Sequence, residues 1–154
     1  MKIKIIAAIF VPLILNQCNN TNSTSNELLI SPAPTSQNSS LAQKLLQDLN
    51  THRSTKGKKP LKLSNKLTLA AQNHSNAMIQ NNKLSVANTD TQPFIRTAQA
   101  VAAFGDHGNT TQKFINHWEK TSSDLILGDW SALGMGVQKN QDNLVYVTLF
   151  FGGN

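Results

Sequence analysis

The chain has 154 residues, with 14 basic and 8 acidic residues, a formal net charge of +6 and one cysteine. A single cysteine excludes a disulfide framework, and the length leaves room for one small domain with a hydrophobic core but not for two. The basic residues are dispersed and no aromatic residues interleave with them, so the charge does not predict a nucleic-acid surface.

The N-terminus has the parts of an export signal. Lys2 and Lys4 supply a positive n-region, and residues 5–15 form an apolar run that is too short to span a bilayer as a helix. The chain is therefore expected to leave the cytoplasm.

The only cysteine, Cys18, directly follows this signal. Residues 15–18, Leu-Asn-Gln-Cys, resemble a bacterial lipobox, with Leu three residues before the cysteine but Asn and Gln where small residues are usual. We predict residues 1–17 as a signal peptide and Cys18 as the lipid attachment site, similar to the loose lipoboxes of spirochaete lipoproteins. The alternative is an ordinary secretory signal that leaves Cys18 as a free thiol.

A polar stretch separates Cys18 from the first periodic segment. It consists mostly of Asn, Ser, Thr, Gln and Pro, which cannot bury enough apolar surface to offset their conformational entropy. Residues 18–40 are therefore predicted as a lipidated N-terminus and disordered tether. Their one apolar island, residues 27–30, is expected either to dock on the domain surface or to remain loop, and the prolines that follow stop it from extending far.

Residues 41–154 are predicted to form one domain that begins with two helices. The first runs from a cap at Ser39 or Ser40 to about Arg53, because leucines recur there at helical spacing. Ser64 caps the second, whose apolar stripe includes a histidine, and residues 81–83 end it. The loop between them carries the densest basic group, predicted as solvated, with an anionic lipid or polysaccharide site as the alternative; its members are Lys56, Lys58, Lys59 and Lys62.

In the second half of the domain, the spacing of the apolar residues changes from a helical to a mainly strand pattern. Residues 98–104 predict a strand and residues 110–121 a third helix that buries Trp118. Two more strands, at residues 132–137 and 144–150, flank a turn at 140–143. Helices followed by a hairpin predict an α+β domain with its sheet covered by the helices.

Catalytic motifs are absent from the sequence, which has no glycine-rich phosphate loop, CxxC pair or HExxH motif. His74 is predicted to be a core residue bonded to a backbone carbonyl, and His52 to cap a helix C-terminus. A weak metal or hydrolase alternative uses dispersed His and acidic residues, namely Asp106, His107, His117, Glu119 and Asp124.

Seven segments, in order, resemble the CAP superfamily of cysteine-rich secretory, antigen 5 and pathogenesis-related proteins, in its bacterial SCP-domain form. They include LLQDLNTHR at residues 45–53, LTLAAQNHSNAM at 67–78, QAVAAFG at 99–105 and LGMGV at 133–137. The resemblance implies a three-layer α-β-α sandwich with a central cleft.

Members of that superfamily commonly carry two histidines and two glutamates in the cleft, a set that can bind zinc. The resemblance places other residues at these four positions, namely Val86, Gln99, Thr121 and Asp124. Valine cannot ligate a metal and glutamine is no acid or base, so we predict neither a metal nor a cofactor.

The sequence therefore predicts a non-enzymatic surface lipoprotein that acts as a ligand-binding or host-interaction module. Its expected partners are the membrane, through the N-terminal lipid, and a host protein or a lipid or sterol ligand. The expected location is the cell envelope, at the outer membrane and facing the surface, with a periplasmic structural component as an alternative.

Overall fold

The computed structural model describes residues 36–88 and 94–153, which form three helices and four strands. The elements in chain order are α1 Ser36–Thr55, β1 Lys62–Leu63, α2 Asn65–Gln80, β2 Arg96–Gly105, α3 Thr110–Ile126, β3 Ala132–Lys139 and β4 Leu144–Gly153. The prediction of a lipidated Cys18 and the apolar island at 27–30 both lie outside the described residues.

The four strands form one mixed sheet in the order β1-β3-β4-β2. β4 lies between two antiparallel neighbours, pairing Leu149 with Met135 on one side and with Ala100 on the other. β1 pairs in parallel with only the first two residues of β3. Strand β1 was not predicted from the sequence, because two residues are too few to show a period.

Strand β4 divides its side chains between the two faces of the sheet, since successive residues of a strand point to opposite sides. The odd-numbered residues from Val145 to Phe151 join the main core together with leucines and aromatic residues of α1 and α3. Tyr146 and Phe150 instead belong to two smaller clusters that contain residues of α2. The predicted α+β fold with three layers is therefore confirmed: α2 covers one face, and α1 and α3 cover the other.

Helix α2 lies very close to β3 because β3 presents glycine to it. A Cβ on Gly134 would overlap the backbone of Leu67, and one on Gly136 would overlap the carbonyl of Ala71. Ser75 is fully buried in the same contact and donates its hydroxyl to the Gly136 carbonyl (3.0 Å) or to Thr148 Oγ1 (2.9 Å).

Two residues near the end of α1 hold the loop that follows it. Asn50 forms two hydrogen bonds with the backbone of Leu61, accepting from its N–H (2.8 Å) and donating to its carbonyl (3.1 Å). Arg53 is 1% exposed and donates to the carbonyls of Lys59, Ile126 and Gly128. These are the Asn and Arg of the segment that carried the first part of the family resemblance, and here both are structural.

The helix ends agree with the predictions in part. The Ser64 hydroxyl accepts from the Leu67 N–H and caps α2 as predicted. Helix α1 begins at Ser36, so the caps predicted at Ser39 and Ser40 are wrong, because nothing after Pro34 interrupts the helix. Helix α3 continues to Ile126, past its predicted end, with a kink at Ser122.

Candidate functional site

A cavity of about 380 Å³ opens between the outer edge of β2 and the second half of α3. Its wall combines five consecutive strand residues, a run of small polar residues on the helix, and two tryptophans. The lining residues are Thr97, Ala98, Gln99, Ala100, Val101, Trp118, Lys120, Thr121, Ser122, Ser123, Asp124, Leu125 and Trp130. We call this cavity the β2 cleft.

The kink in α3 shapes the helical wall of the β2 cleft. Ser122 has φ −154° and ψ 40°, outside the helical region. The hydroxyl of Thr121 donates to the carbonyl of His117 (2.8 Å), a local bond that competes with the helix ladder. Beyond the kink, buried Ile126 and its bond from Arg53 fix the last turn in the core.

The two tryptophans of the cleft differ in whether the indole N–H has a hydrogen-bond acceptor. Trp130 donates its indole N–H to the carbonyl of Leu125 (2.7 Å). Trp118 is 1% exposed and stacks on Phe114 at 5.4 Å between ring centroids, but among the described residues its buried Nε1 has no hydrogen-bond partner. A buried donor without an acceptor costs about 1 to 3 kcal/mol.

Gln99 carries a second unpaired donor, but its side chain lies on the opposite face of the sheet, the face of its β4 neighbour Phe150 and of Ala87. Its Oε1 accepts from the backbone N–H of Ala87 (3.2 Å), which leaves the amide nitrogen buried without a partner in the described part of the chain. Of the two unpaired N–H donors, only Trp118 Nε1 is on the face where the β2 cleft opens. The β2 cleft is therefore suited to a ligand that supplies an oxygen acceptor to Trp118.

The backbone of β2 adds further polar groups to this edge. The Asp106 N–H donates to the Asn143 carbonyl, and this pair continues the register of β2 with β4. The backbone groups of even-numbered β2 residues therefore point toward β4. Backbone groups alternate sides along an antiparallel strand, so the N–H and C=O of Gln99 and Val101 point away from β4. No described strand pairs with β2 on that side.

The structure brings three of the four predicted cleft positions together. Gln99, Thr121 and Asp124 all line the β2 cleft. Val86 does not line it and lies 40% exposed on the segment after α2. That segment is held by His74, whose Nε2 is 2.8 Å from the Ser85 carbonyl. The predicted carbonyl contact of this histidine is confirmed, but its predicted place in the core is wrong, because His74 is only half-buried.

Two of the three acidic residues of the predicted alternative metal site are paired with other residues. Asp106 accepts from Lys139 (3.0 Å) and Thr110 (2.9 Å), and the bond from Lys139 holds the pKa of its carboxyl below the ordinary value. Glu119 pairs with Lys56 (3.0 Å), which likewise lowers its pKa. Within residues 36–88 and 94–153, no three His, Cys, Asp or Glu side chains are grouped so that they could hold a metal ion.

Two histidines make contacts that the sequence did not predict. His52 lies in the last turn of α1, as predicted, and its Nε2 is also 3.6 Å from the Glu119 carboxylate. His117 packs edge-on against Phe104 at 5.3 Å, and burial lowers its pKa.

The basic loop is partly neutralised by the helix and loop beside it. Lys56 pairs with Glu119, and Lys58 lies 3.4 Å from Asp129. The Lys59 carbonyl accepts from Arg53, so this loop is also fixed by its backbone. These contacts support the prediction of a solvated structural loop.

The sequence identified Trp118 as a buried residue but not as an unpaired donor, and it gave Trp130 no role. The available signal was the run of Thr and Ser at 121–123 after Trp118, since such side chains bond locally and bend helices. The unpaired atoms themselves depend on the tertiary structure.

No helix in the described part of the chain is long and apolar enough to cross a membrane.

Comparison with known proteins identifies the family to which this fold is similar. A family model described as CAP, cysteine-rich secretory protein family, matches residues 46–151. A search of curated protein sequences found no significant match.

Three solved structures share the fold at low sequence identity. An outer surface protein of Borrelia burgdorferi is 17% identical with a TM-score of 0.63, over 75% of this chain and 93% of that one. An extracellular SCP-domain protein of Bacillus anthracis is 17% identical with a TM-score of 0.63, over 84% of this chain and 45% of that one. A cysteine-rich secretory protein of Staphylococcus aureus is 24% identical with a TM-score of 0.56, over 88% of this chain and 45% of that one. This chain therefore spans less than half the length of the last two.

Proposed function

The chain belongs to the CAP family of cysteine-rich secretory proteins, and from this premise we propose that it is a lipid-anchored, non-catalytic binding protein of the bacterial cell surface. Its ligand site is the β2 cleft. The cleft selects a small amphipathic ligand whose oxygen atoms accept hydrogen bonds, and a lipid or sterol is the class that the family resemblance suggests first.

One observation carries the ligand proposal, namely a buried N–H donor without an acceptor in the lining of the cavity. Trp118 Nε1 has no partner among the described residues. A bound carboxylate, carbonyl or hydroxyl oxygen would satisfy it, while the tryptophan rings and Ala98 would contact an apolar body. The cavity volume of about 380 Å³ lies at the small end of the range for ligand sites.

The lining of the cleft supports binding without chemistry. Gln99 and Thr121 are neutral, and the single carboxylate, Asp124, is exposed to solvent. General acid–base catalysis requires a titratable group positioned against the reacting atoms. The metal-dependent hydrolase remains the alternative, and calorimetric titration of zinc distinguishes it: one-to-one binding at micromolar concentration or tighter would favour the enzyme.

The anchoring part of the proposal depends on the N-terminal sequence. Residues 1–17 have the charge and apolar run of an export signal, and Cys18 follows the Leu-Asn-Gln of a loose lipobox. Two structural neighbours are named as an outer surface protein and an extracellular protein, which supports export. Cells fed a radioactive fatty acid should label the wild type but not Cys18→Ser, and equal labelling of both would contradict the anchor.

The ligand proposal is tested by titrating palmitate, and separately cholesterol, while following ligand binding directly with radiolabelled probe. Trp118→Phe removes the unpaired N–H but keeps an aromatic ring. It should weaken binding of the probe that fits by about three- to tenfold, the value of one hydrogen bond. Gln99→Leu removes the donor on the other face of the sheet and should change the affinity less.

Trp130→Phe is the matched control, because its N–H already has an acceptor in Leu125. It should change affinity less than Trp118→Phe does. No saturable binding of either probe, or an equal effect of the two tryptophan substitutions, would contradict the proposed ligand class.

A further inference from the structure

A second groove lies at the opposite edge of the sheet, between α1 and α2. It encloses about 190 Å³ beside β3, and we call it the β3 groove. Its lining residues are Ser39, Ala42, Gln43, Leu46, Leu63, Thr68, Gln72, Met135 and Val137. Nothing in the proposed function uses this surface.

The β3 groove contains an open stretch of strand backbone. The Ser64 N–H donates to the Leu133 carbonyl (2.9 Å), so Leu133 directs its backbone groups to the outer edge. Backbone groups alternate along a strand, and Met135 and Val137 therefore direct theirs to the same edge. β1 pairs only with Ala132 and Leu133, so no described strand covers β3 beyond them.

The groove also has an unpaired polar atom and an apolar rim. Within the described residues, the buried Oγ1 of Thr68 has no hydrogen-bond partner. Leu63, which lines the groove, is 52% exposed. Strand groups without a described partner, an unpaired hydroxyl and an exposed leucine together favour an occupant with an extended backbone and apolar side chains.

The chain itself supplies a segment of this kind just before α1. Residues 27–30, Glu-Leu-Leu-Ile, are the only apolar island in the polar stretch, and they precede the described part of the chain. The part of α1 that lines the groove, Ser39 to Leu46, is near its start at Ser36. Five residues separate Ile30 from Ser36, and the six Cα-to-Cα steps between them span at most about 20 Å. The lining stretch of α1 is only about 10 Å long.

We infer that residues 28–30 dock in the β3 groove as a short added strand on β3. Their backbone pairs with the outward groups of Met135 and Val137, and their apolar side chains cover Leu63. Pro32 has no N–H to donate, so the added strand ends before it.

The direction of the added strand follows from the direction of α1. Asn50 binds Leu61 next to the start of β3, whereas Ala42 and Leu46 lie beside Met135 and Val137 further along it. Helix α1 thus runs antiparallel to β3. A segment that turns directly into α1 runs parallel to β3, in line with β1.

The open edge of β2 is not the place for this segment. β2 lies at the far side of the sheet, beyond β4, and each strand adds about 4.8 Å to the distance from α1's groove-lining face. Docking at β3 leaves the β2 cleft free, so the inference does not depend on the proposed function.

Disulfide trapping tests the inference in the full chain carrying Cys18→Ser. Consecutive strand residues point to opposite faces, so Leu29→Cys and Ile30→Cys should form disulfides with different helices. One of them should cross-link with Gln43→Cys on α1 and the other with Gln72→Cys on α2, each within one molecule. Gln112→Cys, exposed on α3, is the control that neither should reach.

Hydrogen exchange gives a second measurement that does not require new cysteines. The double substitution Leu28→Asp and Ile30→Asp should accelerate exchange of the Met135 or Val137 amide by about tenfold or more. The pair Thr21→Asp and Ser23→Asp adds the same charge to the same stretch and should leave both amides unchanged.

Either of two outcomes would overturn the inference. The first is unchanged exchange at both amides in the 28 and 30 variant. The second is cross-linking that shows no preference between positions 29 and 30, or that joins two molecules, since the latter would identify a second copy of the chain as the occupant.

Discussion

The two faces of the sheet are stabilised in different ways. On the α2 face, two glycines of β3 and buried Ser75 bring helix and strand backbones together, with only small apolar clusters around them. On the α1/α3 face, large side chains such as Trp118 and Phe114 fill a single continuous core. The first face therefore depends on close approach and the second on buried volume, and the β2 cleft opens on the second, where α3 bends.

The largest effect is expected from adding volume to the α2 face. Gly136→Val places a branched side chain where a single Cβ already overlaps the Ala71 carbonyl, and the backbone cannot move without separating α2 from β3. We expect a loss of about 4 kcal/mol or more, enough to remove the cooperative unfolding transition. Circular dichroism during thermal unfolding measures it, and a stably folded Gly136→Val protein would mean that the approach of α2 is less tight than described.

Removing volume should affect the two faces unequally. Phe150 and Phe151 are neighbours on β4 with 3% and 0% exposure, one in a small cluster with Leu67 and Ala71 and the other in the main core. Phe151→Ala should cost about 3 to 5 kcal/mol, because the surrounding large side chains cannot close the cavity. Phe150→Ala should cost less, and urea denaturation of both variants measures the difference; equal costs would contradict the distinction between the faces.

A smaller effect is expected from the buried hydroxyl pair on the α2 face. Ser75→Ala removes the donor to Gly136 and Thr148 and should cost about 1 to 2 kcal/mol in unfolding free energy. Combining it with Thr148→Val should cost less than the sum of the two single changes, because neither hydroxyl is then left unpaired. Exposed Ser54→Ala serves as the control, and strict additivity would indicate that Ser75 acts only through the Gly136 carbonyl.

The smallest effect is a pH dependence at the rim of the α1/α3 face. The bonds from Lys139 and Thr110 lower the pKa of Asp106 below its ordinary 3.8. Asp106 therefore contributes stability above the unfolded-state pKa, and this contribution is lost as the pH falls through the folded-state value. Between about pH 5 and pH 2, the unfolding free energy of the wild type should fall more steeply than that of Asp106→Asn. Parallel curves in low salt would contradict the ion pair with Lys139.

Much of the fold was predictable because its signals are local. The Ser64 cap, the helical stripe of α2 and the closing hairpin each depend on residues close in sequence, and all were confirmed. The start of α1 was not predictable in this way. Serine is a common N-cap residue, but Ser39 and Ser40 do not mark a helix start because the residues just before them are helical as well. The contact of His52 with Glu119 joins two helices that are distant in sequence, so a local capping argument could not find it.

The candidate site was predictable only as a set of positions. The family resemblance placed Gln99, Thr121 and Asp124 in one cleft, and the structure brings these three together but leaves Val86 outside the lining. No pattern in the sequence indicates that the Trp118 and Gln99 donors lack acceptors, because the residues around each side chain come from elements that are distant in sequence.

The resemblance of the chain's segments indicated the family. Periodicity and capping, which act over a few residues, predicted the α+β class and the order of the three helices and the three longer strands. Only the tertiary structure decided which backbone edges stay open and which buried polar atoms stay unpaired. The physical reason is that a hydrogen bond is satisfied by whatever lies within about 3 Å, and in this protein those neighbours come from helices and strands that are far apart along the chain.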